Sequence, residues 1–408
     1  MKTQMLQAHG HLIDSGLLSQ ILNTILSKGA DYRITSFDVG KTPEEVSRLE
    51  LELIADDEQV LEPLLNALTA FGVFEKSVPS AQMIGAEKDC CAPETFYSSS
   101  NHRTEVYYKK KWYPVADQRM DAAIVYDKSA DSFRCVKLRD LKKGDKIVCG
   151  SDSVRVYPTG AQQQKKGELF DTFAFMTNSV SSERSVDSSV EKIASEMKRL
   201  RDSGEKTVVV CGPVVVHAGG ADALASLIRK GYVQGFLGGN AVAVHDIENR
   251  FFGTSLGVNL KTGEVVAHGH THHMRAINKI YTAGSIKTAI DEGLLKEGLM
   301  YEVIKNDIPY CLAGSIRDDG PLPETVNDMI QAQSEYAQII KGASLIIMLS
   351  TMLHSIGVGN MTPSWVKTVC IDINPAVVTK LSDRGSNQAI GIVSDVGLFL
   401  RALDERLN

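Results

Sequence analysis

The stretch Val208-Val-Val-Cys-Gly-Pro-Val-Val-Val-His-Ala-Gly-Gly220 decides the fold of the C-terminal half of the chain. It starts within a continuous apolar run, residues 207–210, which is typical of a strand buried on both faces of a parallel sheet. The glycine-bearing turn after it predicts a helix start whose backbone N–H groups can cradle a phosphate. The stretch is not the G-x-G-x-x-G fingerprint, so nucleotide binding and ordinary strand-to-helix packing both stay open.

Further apolar runs toward the C-terminus repeat this pattern at residues 345–349 and 366–373, and more weakly at 389–393. They predict an α/β domain with a Rossmann-like parallel sheet from Lys206 onward. Open α/β sheets bind ligands beyond the carboxyl ends of their strands, so residues at those ends are the candidates for cofactor binding. These candidates are Gly212, Pro213, His217, Gly238, Gly239, Asn240, Ser350, Thr351, Met352, Asp372, Asn374, Asp395 and Val396.

Two of the strand-end groups have alternative interpretations. Asp372 can accept both hydroxyls of an adenosine ribose, or Asp372 and Asn374 can simply cap the turn before Pro375. Cys211 can be a nucleophile, but a cysteine at a strand end usually packs in the core, and no partner base is identifiable from the sequence.

The N-terminal part of the chain has a different pattern. Residues 1–77 predict a ferredoxin-like α+β domain, with helices near 17–26 and 58–70 and strands near 32–39 and 47–54. Residues 78–185 carry short Tyr/Val-rich segments between polar turns and predict a β-rich middle domain. Residues 186–408 form the Rossmann-like domain, which makes three domains in all.

Composition excludes several classes of function for these 408 residues. Lys+Arg 44 against Asp+Glu 50 gives a net charge of −6 without a basic block, so neither nucleic acid nor an anionic membrane is expected as a partner. The N-terminus lacks a signal-peptide pattern and no apolar run approaches the ~20 residues of a membrane span, so we expect a cytosolic protein. Seven cysteines without a C-x-x-C pair predict neither a disulfide scaffold nor a thiolate zinc site.

The segment His268-Gly-His-Thr-His-His273 holds four imidazoles, which resembles a metal site. It lacks the i, i+4 pairing with an interposed glutamate that helical zinc sites use, and no Cys or carboxylate completes a ligand set. We therefore predict hydrogen-bonding or loop histidines and no metal.

The loop Gly314-Ser-Ile-Arg-Asp-Asp-Gly320 is the strongest candidate for substrate recognition. Arg317 can clamp an α-carboxylate with two parallel hydrogen bonds, and Asp318 or Asp319 can hold an ammonium group or act as a base. The alternative is a structural Arg–Asp turn. Because pockets favour domain junctions, we expect the substrate between this loop and polar residues of the middle domain. The further substrate-binding candidates are Asn101, Arg103, Thr104 and Arg275.

Several short motifs are spread over nearly the entire chain. They are Gly10-His-Leu-Ile-Asp-Ser-Gly16, Phe37-Asp-Val-Gly40, Asn101-His-Arg-Thr-Glu-Val106, Met120-Asp-Ala-Ala-Ile-Val125, Gly314-Ser-Ile-Arg-Asp-Asp-Gly-Pro-Leu-Pro323, Thr351-Met-Leu-His-Ser355 and Val369-Cys-Ile-Asp-Ile-Asn-Pro375. Through these motifs the sequence resembles the family described as the LOR/SDH bifunctional enzyme conserved region. That family includes archaeal ornithine cyclodeaminases and the C-terminal part of cyanobacterial arginine dihydrolase/ornithine cyclodeaminase fusions.

The resemblance implies conversion of L-ornithine to L-proline and ammonia by a homo-oligomer that recycles NAD. The C-terminal domain is also similar to the nucleotide-binding fold of deoxyhypusine synthase and the sirtuins, which bind NAD without G-x-G-x-x-G. The guanidine-hydrolysing domain of the fusions has no counterpart here, so arginine dihydrolase activity is not expected.

A proton acceptor is needed for the α-ammonium group of the substrate, and the candidates are Asp319, His270 and Asp246, in that order. Asp319 ranks first because it shares a loop with Arg317. Two rival functions stay open. One is a net amino-acid dehydrogenase on the same scaffold, and the other is a non-catalytic regulator that binds NAD or an amino acid, which the ferredoxin-like N-terminal domain suggests.

Overall fold

The computed structural model describes residues 2–10, 12–13, 16–40, 47–55, 58–69, 71–75, 78–157, 183–260, 262–264, 266, 269–318, 320–377, 380 and 389–408. The chain divides into two compact units. The first contains residues 1–172 and 360–365, and the second contains residues 173–359 and 366–408. The sequence-based division into three domains stays a prediction.

The first unit begins with an antiparallel sheet in the strand order β2-β3-β1-β4, with one helix after β1 and another after β3. Strand β3 alternates fully buried leucines with partly exposed residues, because successive side chains of a strand point to opposite faces. Its buried face packs against Ile21, Ile25 and Leu64 of the helices. The elements are β1 (Lys2–Gly10), α1 (Leu17–Ser27), β2 (Asp31–Asp38), β3 (Ser47–Ala55), α2 (Glu58–Thr69) and β4 (Val73–Glu75).

The rest of the first unit is a mixed sheet whose described strands follow the order β11-β6-β7-β9-β8-β10-β5. Strands β7 and β9 pair in parallel and the other neighbours pair antiparallel. Phe133 is fully buried at the centre of its core. The strands are β5 (Gln82–Gly85), β6 (Arg103–Tyr108), β7 (Lys111–Ala116), β8 (Ala123–Asp127), β9 (Ser132–Val136), β10 (Lys146–Cys149) and β11 (Val154–Tyr157).

The second unit is built on a parallel sheet in the order β17-β16-β13-β12-β18-β19-β20. The predicted apolar runs form β12, β18, β19 and β20, so the α/β expectation is confirmed. The strands are β12 (Lys206–Cys211), β13 (Gly235–Gly239), β16 (Tyr310–Ala313), β17 (Thr325–Val326), β18 (Ala343–Leu349), β19 (Lys367–Asp372) and β20 (Ala389–Val393), with a separate hairpin of β14 (Thr254–Ser255) and β15 (Val258–Asn259).

Strand order in this sheet reverses between β12 and β18. The chain runs outward from β12 through β13 and β16 on one side, and from β18 through β19 on the other. This reversal opens a crevice at the carboxyl edge, where open α/β sheets bind ligands. The helices are α3 (Glu183–Asp202), α4 (Val214–His217), α5 (Ala221–Arg229), α6 (Asn240–Phe252), α7 (His272–Ala283), α8 (Ile286–Asp291), α9 (Leu299–Lys305), α10 (Met329–Ile340), α11 (Met352–Met361) and α12 (Val396–Arg406).

Within the described residues, no helix has the length and apolarity that a membrane crossing requires. All seven cysteines lie in the described part, and each is a free thiol.

Candidate functional site

The loops after β12 and β18 meet at the crevice where strand order reverses. A Cβ atom on Gly212 would lie 2.2 Å from the carbonyl oxygen of Ser350 and 3.0 Å from Cβ of Thr351. The Gly212 N–H donates a hydrogen bond to the Leu349 carbonyl at 2.9 Å. Only glycine fits such a backbone contact. The structure therefore brings three of the predicted cofactor residues, Gly212, Ser350 and Thr351, into contact between two neighbouring loops.

The end of β13 also depends on glycine. A Cβ on Gly238 would lie 2.8 Å from Cγ1 of Val242, and one on Gly239 would lie 3.1 Å from Nε2 of His354. Asn240 follows directly and is buried, and its Oδ1 accepts hydrogen bonds from Leu322 N–H at 3.0 Å and from the Thr325 hydroxyl at 3.1 Å. Asn240 thus fastens the segment after β16 to this edge of the sheet.

The acidic and amide candidates farther along the edge cap local turns. Asp372 Oδ1 accepts the Asn374 N–H at 2.8 Å, and Asn374 Oδ1 accepts the Ala376 N–H at 3.0 Å. Asp395 Oδ1 accepts the Leu398 N–H at 2.8 Å and begins α12. Among the described residues, the second carboxylate oxygen of Asp372 has no hydrogen-bond donor. Asp372 can therefore cap its turn and still accept from a ligand.

Three further cofactor candidates contribute differently at the same edge. Pro213 precedes the short helix α4, and Met352 is an exposed side chain at the start of α11. Val396 is buried in the core of the second unit, so only its backbone is available to a ligand.

The last cofactor candidate, His217, belongs to a cluster that the sequence did not predict. Its Nδ1 lies 2.7 Å from the Ser255 hydroxyl, and its ring centroid lies 4.8 Å from that of His245. Burial lowers the pKa of His217, and the neighbouring His245 lowers it further. At neutral pH, the His217 ring is therefore uncharged.

Glu248 is the centre of this cluster and is fully buried. Its carboxylate accepts from the Thr254 hydroxyl at 2.9 Å, from two backbone N–H groups at 3.0 and 3.1 Å, and contacts His245 Nδ1 at 3.2 Å. Burial raises the pKa of Glu248, but these hydrogen bonds outweigh burial and the net pKa is lowered. The sequence signal was His245 and Glu248 three residues apart on one helix face.

Tyr336 on α10, which the sequence did not single out, pairs with His354 on α11, an imidazole that follows the apolar run 345–349. The Tyr336 hydroxyl donates to the Gly238 carbonyl at 2.7 Å and lies 3.0 Å from His354 Nδ1. Burial lowers the pKa of His354 and raises that of Tyr336, so both groups are neutral near pH 7. The signal was an imidazole five residues after the buried run that forms β18.

Of the three candidate proton acceptors, one caps a helix, and the side chains of the other two lie outside the described residues. Asp246 is fully buried, and its Oδ2 accepts the Met300 N–H at 2.8 Å at the start of α9. Burial raises its pKa, against hydrogen bonds from Met300 and Leu299. Asp246 therefore caps a helix. Asp319 lies outside the described residues, and His270 lies in the 3₁₀ turn Gly269–Thr271 with its side chain outside the described part.

The predicted carboxylate clamp lies on an exposed loop. Arg317 is exposed, and its backbone N–H donates to the Ser315 hydroxyl at 3.1 Å. Asp318 Oδ2 accepts the Ser315 N–H at 2.7 Å, so this acid closes the turn. The alternative Arg275 is exposed on α7, where its guanidinium lies 4.9 Å from the centroid of the Phe252 ring.

The remaining substrate candidates belong to the first unit. Arg103 is exposed at the start of β6, and the buried Thr104 donates its hydroxyl to the His102 carbonyl at 2.9 Å. Asn101 is buried, and its Nδ2 has no partner within the described part of the chain. Guanidinium nitrogens of Arg119 and Arg139, which sequence reasoning did not select, also lack a hydrogen-bond partner there, although Arg139 Nε lies 3.8 Å from a carboxylate oxygen of Asp140. Buried donors without a hydrogen bond are uncommon in folded proteins.

Across the described ranges, no group of three or more His, Cys, Asp or Glu side chains is arranged to hold a metal ion. His268 of the histidine-rich segment lies outside those ranges. Cys211 is fully buried, and burial, followed by the nearby Asp246 carboxyl, raises its pKa above the ordinary range. A thiol in that state is a poor nucleophile, which favours the packing interpretation.

Comparison with family models covers almost the whole chain in three successive matches. Residues 3–102 match "LOR/SDH bifunctional enzyme conserved region". Residues 103–190 match "Arginine dihydrolase ArgZ-like, C-terminal, first region", and residues 191–403 match "Arginine dihydrolase ArgZ-like, C-terminal, Rossmann fold".

Known proteins resemble the chain over its full length. Ornithine cyclodeaminase of Methanocaldococcus jannaschii is 48% identical over 407 residues, which are 98% of this chain and 95% of that protein. The apo structure of the cyanobacterial arginine dihydrolase ArgZ is 43% identical with a TM-score of 0.83, and AgrE in ternary complex with ornithine and NAD⁺ is 44% identical with a TM-score of 0.54. Both structures cover all of this chain, which spans 58% of ArgZ and 57% of AgrE.

Proposed function

Because the chain belongs to the arginine dihydrolase ArgZ-like C-terminal family, we propose that it is an ornithine cyclodeaminase that converts L-ornithine to L-proline and ammonia with NAD. The observation that carries this is full-length similarity at 48% identity to a protein of that name that is itself about as long. AgrE, 44% identical across the chain, binds ornithine and NAD⁺ together. The chain spans 58% of ArgZ, and the proposal concerns ornithine cyclodeaminase activity alone.

The residues at the sheet edge fit a dinucleotide. The backbone at Gly212 approaches Ser350 more closely than any side chain allows, at the carboxyl edge where open α/β sheets bind nucleotides. Asp372 has one carboxylate oxygen available for a ribose hydroxyl. Bound NAD⁺ supplies the acceptor, and later the donor, of the hydride that leaves Cα and returns to the cyclised product.

The chain's own residues hold and orient the substrate. Exposed Arg317 is available to bind the α-carboxylate, since no carboxylate in the described part of the chain pairs with its guanidinium. The glycine-lined edge fixes the cofactor so that Cα can be held against it, and a group near that edge takes the proton of the α-ammonium. The Asp246 carboxylate instead accepts a backbone N–H at the start of α9, which favours a structural role for this residue.

The finer fold assignments belong to the same proposal. A ferredoxin-like description of the first sheet is supported by its order β2-β3-β1-β4 with helices after β1 and β3. A cofactor fold of the deoxyhypusine synthase and sirtuin type is supported by the β12 turn, which lacks G-x-G-x-x-G. The family resemblance also supports a cytosolic homo-oligomer, which cell fractionation and light scattering test.

The test uses ornithine labelled with ¹⁵N at the α-nitrogen, purified protein and NAD⁺, followed by mass spectrometry and absorbance. Ornithine cyclodeaminase activity predicts unlabelled proline, labelled ammonia and no net NADH, because the δ-nitrogen closes the ring. Accumulation of NADH with an oxo acid would instead establish the dehydrogenase. Binding of ornithine and NAD⁺ without any product would establish the regulator.

A further inference from the structure

His354 is held at the carboxyl edge of the sheet with one ring nitrogen committed and the other open. Its Nδ1 lies 3.0 Å from the Tyr336 hydroxyl. Its Nε2 lies 3.1 Å from the position that a Cβ on Gly239 would occupy, beside the last residue of β13. Within the described part of the chain, Nε2 makes no hydrogen bond. It is also not one of the fully buried polar atoms that lack a partner, so it is not sealed from solvent.

The hydrogen bonds of Tyr336 determine the tautomer of this imidazole. A phenol has one proton, and Tyr336 gives it to the Gly238 carbonyl at 2.7 Å, because a carbonyl can only accept. The phenol oxygen is therefore an acceptor toward His354, and Nδ1 must be the donor. In the neutral ring Nδ1 carries the proton, so Nε2 carries the lone pair.

The surroundings keep this ring neutral. Tyr336 faces it from α10, and Cys311 of β16, which hydrogen-bonds Glu335, is close enough to raise the pKa of the tyrosine. Burial raises the pKa of Tyr336 above the ordinary range and that of Cys311 to about 12, so neither is charged near pH 7. Burial lowers the pKa of His354, and no charged side chain of the described residues shifts it further.

We propose that Nε2 of His354 accepts the proton that ornithine must lose from its α-ammonium group, with Tyr336 as the positioning residue that fixes the tautomer. This inference rests on the proposed function. Gly239 is required because any side chain there would displace the imidazole from the edge. The sequence-based candidates for this role were Asp319, His270 and Asp246.

The proton transfer balances as follows. An N–H bond of the α-ammonium breaks, its electron pair stays on nitrogen, and the proton forms a bond to the Nε2 lone pair. The neutral amine can then release a hydride from Cα as its nitrogen lone pair forms the C=N bond, with NAD⁺ as the oxidant that gains those two electrons. The δ-amine, after it loses a proton to solvent, forms a bond to Cα, and the C=N electron pair returns to the α-nitrogen. The δ-nitrogen then loses a second proton to solvent, the imidazolium returns its proton to the α-nitrogen, and the bond from Cα to that nitrogen breaks with its electron pair leaving on ammonia.

The test compares His354→Gln and Tyr336→Phe with matched controls. His9→Gln removes another half-buried imidazole whose pKa is lowered by burial, and Tyr232→Phe removes another buried phenol. We expect His354→Gln to lower kcat by roughly 10²- to 10⁴-fold and to abolish the acidic limb of the kcat profile below pH ~6.5. Tyr336→Phe should lower kcat about fivefold, as expected for the loss of one hydrogen bond. Both controls should have the kcat of wild type.

A second readout is independent of turnover. In ¹⁵N spectra of histidine-labelled protein with NAD⁺, the signal absent from His354→Gln should show protonated Nδ1 and bare Nε2, and Tyr336→Phe should lose that tautomer. Bare Nδ1 in the wild type, or wild-type kcat and acid limb in a folded His354→Gln protein that still binds NAD⁺, would overturn the inference alone. Wild-type protein that forms no proline would overturn the proposed function and this inference together.

Discussion

The loops that follow β12 and β16 lie at the same edge of the sheet but are built in opposite ways. The β12 loop has no room for a single methyl group, since a Cβ on Gly212 would meet backbone atoms of Ser350 at 2.2 and 2.9 Å. In the β16 loop, the side chain of Ile316 is fully exposed, and Ser315 and Arg317 are exposed as well. The tight loop is preformed, whereas the open loop presents its side chains to solvent.

This difference agrees with the proposed roles of the two loops, cofactor binding for the β12 loop and substrate recognition for the β16 loop. A cofactor that is kept through many turnovers is held best by backbone that needs no reorganisation when it binds. A substrate that enters and leaves at each turnover is recognised by side chains that it can reach from solvent. The contrast therefore predicts large effects on folding at the β12 loop and selective effects on substrate at the β16 loop.

The largest effect is expected from Gly212→Ala. Its methyl group would overlap the Ser350 carbonyl, and both partners are backbone, so the loops must separate. We expect a loss of about 3 kcal/mol or more in the free energy of unfolding, measured with urea. Gly357→Ala on α11 is the control, because its Cβ meets nothing within 4 Å, and it should be neutral or stabilising by up to about 1 kcal/mol. Equal stabilities for the two variants would show that the β12 loop has room for a methyl group after all.

Glu248→Gln tests the hydrogen bonds that the buried Glu248 carboxylate makes in its cluster. The carboxylate accepts hydrogen bonds from Thr254, Leu256 and Gly257, and replacing charge-assisted bonds by amide ones should cost about 2 kcal/mol. The folded-state pKa of Glu248 is lowered, so its stabilisation is present at pH 7 and is lost as the pH falls through the carboxyl range near 4.5 and below.

The measurement is urea unfolding of wild type and Glu248→Gln from pH 7 down to about pH 3. The gap between the two proteins should stay level to about pH 5 and narrow below it, as the carboxyl group gains a proton first in the unfolded chain and then in the folded protein. A gap that stays constant would show that the charge of Glu248 does not matter to the cluster.

How far the sequence could predict this molecule depended on the range of the interactions. Residues 207–210 and 345–349 identified two central strands because burial on both faces is encoded locally by a continuous apolar run. The alternation in residues 47–54 likewise predicted β3. The confirmed family resemblance supplied the function, which no spacing of residues implied.

The site was less predictable because its contacts join distant parts of the chain. The Tyr336 hydroxyl contacts both His354, 18 residues later, and the carbonyl of Gly238, 98 residues earlier, and neither spacing nor composition encodes those contacts. Asp246 looked like a free acid in the sequence, but α9 begins against it 54 residues later. The roles of Arg317 and the cofactor residues stay predictions.

Asp372→Ala separates cofactor binding from turn capping. If its second oxygen accepts from a ribose hydroxyl, NAD⁺ affinity should weaken by on the order of 1 to 3 kcal/mol in calorimetry. Asp328→Ala is the matched control, because Asp328 also accepts backbone N–H groups, at 2.8 and 3.0 Å, at the start of α10. Both variants should lose some stability, and only Asp372→Ala should lose affinity. Unchanged affinity would take Asp372 out of the cofactor site.

Arg317→Lys should have the smallest effect and the most selective one. Lysine keeps the charge of the open loop but cannot form two parallel hydrogen bonds to a carboxylate, so kcat/KM for ornithine should fall by about tenfold. Stability and NAD⁺ affinity should not change, because Arg317 is exposed and its contact with Ser315 is through backbone N–H. Arg201→Lys on α3 controls for the exchange at an exposed site, where Arg201 pairs with Asp202. If Arg317→Lys has a normal kcat/KM and Arg275→Lys a reduced one, then Arg275 on α7 binds the carboxylate. The open β16 loop would then have no role in substrate recognition.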